Sequence, residues 1–225
     1  MAKADKKEIR RQEIVAAAQA VAARDGAEGA TLRAIAAEAG MAANAVLYYF
    51  GSHAEIIAAA VQASSGRFLE KLAEAVEADM TPTAKLAAVI SAGTTAGLED
   101  DVSRILYEYW PHMLRDAEQR RIQEELTSAQ ERVYREIIDA GTRSGEFSPL
   151  LDPAKIARTL VAQEDGLVMD VLAGSATGEY VLDLVGNLAA ALLGLEAGAL
   201  LELIAARGLS APQRPAGVPG TAPSR

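Results

Sequence analysis

The chain has 225 residues, enough to bury one large core or two smaller ones, with half of its residues apolar and 24% charged. It has no cysteine and only two histidines, His53 and His112, far apart in sequence. That excludes a disulfide framework and thiol catalysis, and it leaves zinc or di-metal chemistry without clustered imidazoles. Asp and Glu outnumber Lys and Arg by 31 to 22, a net charge of −9, which taken whole speaks against a polyanionic partner. The N-terminus, MAKADKKEIRRQEIV, is too charged for a signal peptide, and no uncharged run reaches the roughly 18 residues of a membrane span. The expectation is a soluble, cytoplasmic protein with no membrane contact.

The apolar period is helical throughout, with no strand signal and no fixed repeat. A first helix is expected over 6–25, with Ile14, Ala18, Val21 and Ala22 on one face and Gly26 just past its end. Thr31 caps a short second helix in which Leu32, Ile35, Ala36 and Ala39 recur at i, i+3, i+4 and i+7, and Gly40 stops it. A third short helix over 42–49 turns Val46 and Phe50 inward. Ser52 and Glu55 have capping-box spacing and open a long fourth helix to about residue 79, with Ile57, Val61, Phe68, Leu72 and Val76 as its stripe. Thr81 and Pro82 start a fifth. Further helices are expected over 98–113, over 116–144 with Gly145 beyond its end, from Asp152 and Pro153 onward, and over 179–207. Four of the eight prolines crowd into 212–225, so 208–225 reads as a disordered tail.

Two short helices joined by a glycine turn over 31–50 have the dimensions of a helix-turn-helix, whose second helix enters the DNA major groove. The residues go further than the spacing. Thr31, Leu32, Arg33, Ala34, Ile35 and Ala36, then Ala39, Gly40 and Met41, then Tyr48, Tyr49, Phe50, Gly51, Ser52 and His53 follow in the order of the N-terminal domain of TetR-family transcriptional regulators. The segment resembles that domain over the first 60 residues. Ala42, Ala43, Leu47 and His53 depart from it, replacing residues that in the family often carry a hydrogen-bond donor or a fixed charge. The resemblance implies phosphate contacts by Thr31, Tyr48, Tyr49 and His53, and base-edge contacts by Arg33 and Asn44. That division agrees with chemistry: Arg pairs with guanine and Asn with adenine, while hydroxyls serve phosphates. Lys6 and Arg10, in the basic leading segment, are candidates to clamp the DNA backbone.

Each residue also has a plainer reading. Tyr48 and Tyr49 are candidates for packing at the helix junction, Arg33 and Asn44 for solvated surface groups, and the basic arm for a solvated one. Counted by region, residues 1–60 hold seven Lys or Arg and seven Asp or Glu, so residues 61–225 carry the whole −9. The charge therefore permits a neutral reading head on DNA, with an acidic body held away from the duplex.

The resemblance implies an all-α fold of about nine helices: a three-helix DNA-binding domain over 7–67, then an effector-binding and dimerisation domain over 68–207. Around Trp110, Gly145, Glu146, Phe147, Asp152, Pro153, Asp165, Gly166 and Leu167 the second half looks most like the BetI-type group. Gly186, Ala190, Gly194 and Gly198 recur every fourth residue, and Ala162 and Gly166 do so one helix earlier. Such small-residue ridges let a partner helix approach closely and are the candidate homodimer interface. Phe68, Tyr107, Trp110, Met113, Tyr134 and Met169 are the candidate lining of a small-molecule effector pocket, against core packing as the alternative. Clustered aromatics near Glu108 would suit a cationic effector. No catalytic, metal-binding or cofactor motif is present. The expected partners are operator double-stranded DNA, a small effector and a second copy of the chain; the expected function is ligand-released repression at a palindromic operator.

Overall fold

The computed structural model describes the backbone at residues 2–99 and 101–208, with side chains at 6–94, 104–117 and 119–208. The expected tail lies outside the described residues apart from Gly208. Among the described residues there are ten helices and no strand: α1 (Ala2–Gly29), α2 (Leu32–Glu38), α3 (Ala43–Phe50), α4 (His53–Glu74), α5 (Pro82–Glu99), α6 (Asp101–Met113), α7 (Ala117–Ser144), α8 (Pro153–Leu172), α9 (Gly178–Leu193) and α10 (Ala199–Ala206).

Helix starts follow the expected caps. Thr31, Ser52 and Asp152 each accept a backbone N–H at the head of α2, α4 and α8, and Asp116 and Thr177 do the same for α7 and α9. Gly26 breaks α1 as anticipated, taking φ 73° and ψ −179°, with one further turn beyond it. Gly40, at φ 63°, has open space where a Cβ would sit, so the turn between α2 and α3 needs glycine for the left-handed backbone and not for want of room.

The stretch expected as one helix over 179–207 is two. Gly194 caps α9 at φ 71°, and Gly198 opens α10 at φ 82°. The chain doubles back so that α10 packs on α9 and α5. This removes the four-residue ridge: Gly194 and Gly198 are turn residues, and Ala190 is buried in its own subunit. Gly186 is consumed in the same way, for a Cβ there would stand 3.0 Å from Leu201 Cδ2 of α10. Ala162 and Gly166, by contrast, lie exposed on α8.

One apolar core runs from Ile14 and Val21 of α1 through Phe50, Ile56 and Leu72 to Ile138, Leu160 and Val185. The head and the regulatory half therefore share packing. Helix α1 packs against α2 and α3 of the head and also against α4 and α6. Gln19 of α1 donates to the Ala60 carbonyl and to Ser64 Oγ of α4, at 3.2 and 2.9 Å, in a buried contact.

Candidate nucleic-acid interface and regulatory core

Helix α3 presents a short polar face. Asn44 in its first turn is exposed, and Tyr48, one turn on, is 77% exposed, too open for the core role that was its alternative. Tyr49 is half-buried and meets Tyr48 edge to face, with ring centroids 5.3 Å apart at 87°. Val46 and Phe50 on the opposite side are buried, so the orientation of α3 is set by the core. Arg33 is exposed on α2, and the exposed Thr31 spends its hydroxyl oxygen as an acceptor for the Ala34 N–H, leaving its O–H free to donate. Thr31, Arg33, Asn44 and Tyr48 are thus all exposed at the helix-turn-helix.

Lys6 and Arg10 are exposed on α1, Arg10 paired with Glu13. Its neighbour behaves differently. Arg11 lies over the Phe50 ring, 4.0 Å from the centroid, and donates to the Tyr49 carbonyl at the end of α3. It clamps α1 to α3, a role the sequence hid because Arg11 sits in a run of charges. His53 is half-buried, and its Nε2–H donates to the Ala30 carbonyl at 2.6 Å, tying the start of α4 to the junction of α1 and α2. Only Nδ1 remains for an outside partner.

The regulatory half touches this head through α6. Tyr109 O–H donates to the Ala27 carbonyl at 3.2 Å, just past the break in α1, and burial pushes its pKa up to about 12, aided by Glu108. Of the candidate pocket residues, Phe68, Tyr107, Met113 and Tyr134 are buried in the common core. Trp110 is half-buried and stacks on Tyr107, centroids 6.4 Å apart at 7°. Met169 does not join them: it is 45% exposed, because the helical period turns Glu164 and Val168 inward and Met169 to the other side of α8.

Glu164 is the residue that sequence reasoning missed. It is 1% exposed, with Tyr134 O–H and Gln130 Nε2 donating to its two oxygens, the latter at 2.9 Å. The signal was present, since Ala157, Leu160, Val161 and Val168 place position 164 on the buried line of α8. A charged residue there is too unusual for pattern reading to credit. Among the described residues no group of three His, Asp or Glu is placed to hold a metal, and no helix is long and apolar enough to cross a membrane.

An exposed recognition helix pinned to a helical regulatory body defines a helix-turn-helix DNA-binding regulator. Residues 14–60 match the family of bacterial regulatory proteins of the tetR type, and residues 91–176 match the tetracyclin repressor-like C-terminal domain. The chain belongs to the TetR family of transcriptional regulators, a family of DNA-binding proteins and not of enzymes. The HTH-type transcriptional regulator YfiR of Bacillus subtilis strain 168 is 26% identical over 169 residues, spanning 74% of this chain and 82% of YfiR. Among solved structures, FadR of Bacillus subtilis in complex with stearoyl-CoA is similar at 24% identity and TM-score 0.64, covering 81% of this chain and 97% of FadR. A transcriptional regulator from Saccharomonospora viridis in complex with choline is similar at 20% identity and TM-score 0.71, covering 78% and 92%. At these identities the two solved structures speak for the fold alone.

Proposed function

We propose that the protein is a homodimeric cytoplasmic repressor that binds a palindromic operator through α3 and is released by a small molecule in its C-terminal half. The observation that carries this reading is the continuous route from site to site. Asn44 and Tyr48 stand exposed on α3, Arg11 locks α3 to α1, and Tyr109 of α6 holds the end of α1. A shift of α6 therefore bears directly on the head.

Asn44 and Arg33 serve as base readers, and Thr31, Tyr48, Tyr49, His53, Lys6 and Arg10 as phosphate contacts. Dimerisation uses the open faces of α8 and α9. Ala162, Gly166 and Met169 are exposed on the first, and Tyr180 and Ala191 are exposed on the second beside half-buried Leu184 and Leu188. Two recognition helices related by a two-fold axis read half-sites about one turn apart. The effector region is the core around Tyr107, Trp110 and Tyr134, and the BetI-type likeness of this half belongs to the same reading. For release, the effector must bind the arrangement that cannot hold DNA more tightly, by about 1.4 kcal/mol for each tenfold of lost affinity.

A gel shift with the DNA flanking the gene tests the proposal. A complex that weakens steeply with salt and dissociates with one member of a metabolite panel supports it. Equal affinity for that DNA and an unrelated duplex of the same length overturns it.

A further inference from the structure

In the regulatory half lies a buried acid, Glu164, that no cation of the described residues pairs with. Glu164 takes part in none of the ion pairs of the described residues. Its two hydrogen bonds come from neutral donors, Tyr134 and Gln130 of α7. The charge bearing on it is another acid, Asp165. On the α5 side stands Gly93, where a Cβ would lie 3.0 Å from both carboxylate oxygens, so glycine there lets the α5 backbone pack directly against the acid. From α6, Tyr107 lies close enough to feel both Glu164 and Asp165, and its ring stacks on Trp110.

A second, independent feature leads to the same point. On α7, Gln119, Gln123, Thr127, Gln130 and Tyr134 recur at spacings of three and four, a polar line that ends at Glu164. The side-chain oxygens of Gln119 and Gln123 are buried with no hydrogen-bond partner. Roughly nine in ten buried polar groups in proteins are paired, so two orphaned acceptors on one helix face require a reason.

The groups share one chemistry. Carboxylate and amide oxygens accept hydrogen bonds, and aromatic faces attract positive charge. Once ionised, Glu164 repels an anion, whereas an ammonium finds in it a counter-charge, with a flat aromatic wall and further acceptors beside it. Gln123 and Gln130 are seven residues apart, about 10 Å along the helix axis at roughly 1.5 Å per residue. That is the reach of an extended diamine.

We propose that the effector is an organic ammonium compound whose charged nitrogen sits against Glu164 and whose chain runs along α7 toward Gln123 and Gln119. The proposal rests on the effector-responsive reading above and names the ligand class. It also sets the proton balance. Burial pushes Glu164 up to about 8, so the acid holds its proton at neutral pH until a cation faces it. When the ammonium arrives, the carboxylic acid releases that proton to solvent and the carboxylate faces the cation, one proton out for each ligand in. The titratable groups facing Glu164 are Tyr134 from α7, Tyr107 from α6 and Asp165 beside it on α8, the last under the influence of Arg158. Burial raises both tyrosines well above their ordinary value and Asp165 only to about 6. Glu164 is thus the group that exchanges near pH 8, and ammonium affinity rises as pH approaches 8 from below.

Titration calorimetry on the full chain tests this with four probes: hexane-1,6-diamine, benzyltrimethylammonium, hexanoate and hexan-1-ol. Each is run in phosphate and in Tris at pH 7. The expected result is binding of one or both cations, heats that differ between buffers by about one proton released, and a loss of tenfold or more in Glu164→Gln. Gln123→Leu, which leaves the acid in place, should weaken the diamine more than the quaternary ammonium. Cation binding unchanged in Glu164→Gln and Gln123→Leu, buffer-independent heats, or no binding of either cation at millimolar concentration overturns the proposal. Binding of hexanoate or hexan-1-ol with release of DNA would overturn the ligand class while leaving the effector-responsive reading intact.

Discussion

Replacing Arg11 by methionine separates a structural cation from a DNA-binding one. The side chain makes a charge-assisted hydrogen bond to the Tyr49 carbonyl and lies 4.0 Å over the Phe50 ring. A hydrogen bond to a charged group contributes about 1.5–3 kcal/mol, and a partly exposed cation–π contact about 0.5–1 kcal/mol. Methionine keeps the apolar stem, so the net loss is about 2–3 kcal/mol. At roughly 2–4 °C per kcal/mol for a chain of this size, the melting temperature should fall by about 5–10 °C. The salt dependence of DNA binding at a temperature where both proteins are folded should stay at its wild-type slope, because Arg11 faces the protein. Arg10→Met should do the reverse: little change in melting, since its exposed pair with Glu13 contributes about 0–1 kcal/mol, and a slope reduced by about one for the lost phosphate contact. Thermal melting and salt-titrated fluorescence anisotropy read both quantities. If Arg11→Met leaves the melting temperature alone and lowers the slope, the assignment of α1 to its two faces is wrong.

Asn44→Ala should leave the fold intact, Asn44 being exposed, and cost about 1–3 kcal/mol of operator affinity while non-specific binding stays level; competition anisotropy measures the two. For Glu164 the native pKa of about 8 lies above the ordinary 4.5, so the folded chain keeps a proton that the unfolded chain gives up. Stability should fall as pH rises from about 4.5 to about 8. In Glu164→Gln most of that slope should vanish, leaving the part from Asp165, raised from 3.8 to about 6; denaturant midpoints at pH 5, 7 and 8.5 check it, and equal slopes would count against the buried proton. Gly141→Ala would set a Cβ 2.1 Å from Phe147 Cδ2 in a packed site and should cost about 1–3 kcal/mol, part of it restored by Phe147→Leu in the double variant.

The head was legible because short-range chemistry fixes it. Thr31 and Ser52 cap, Gly40 takes the left-handed turn, and Val46 and Phe50 face inward, each by a rule that spans a few residues. Long-range partners were not legible. Nothing local distinguishes Arg10, which faces solvent, from Arg11, which reaches across to α3, and nothing in His53 announces its bond to Ala30. The error over 179–207 has a different source. Leucine and alanine continue in helical period past Gly194, but period alone does not reveal that two glycines adopt positive φ and fold α10 back over Gly186. Met169 was misplaced by one residue of helical phase relative to Val168, enough to move it from core to surface.

Selection of bound sequences from a random duplex pool by the full chain asks whether two copies of α3 read DNA as a symmetric pair. Operator reading by a homodimer requires a two-fold symmetric motif with half-sites about one helical turn apart, lost or relaxed in Asn44→Ala. Recovery of no motif from the wild type, or of the same motif at undiminished enrichment with Asn44→Ala, would contradict it.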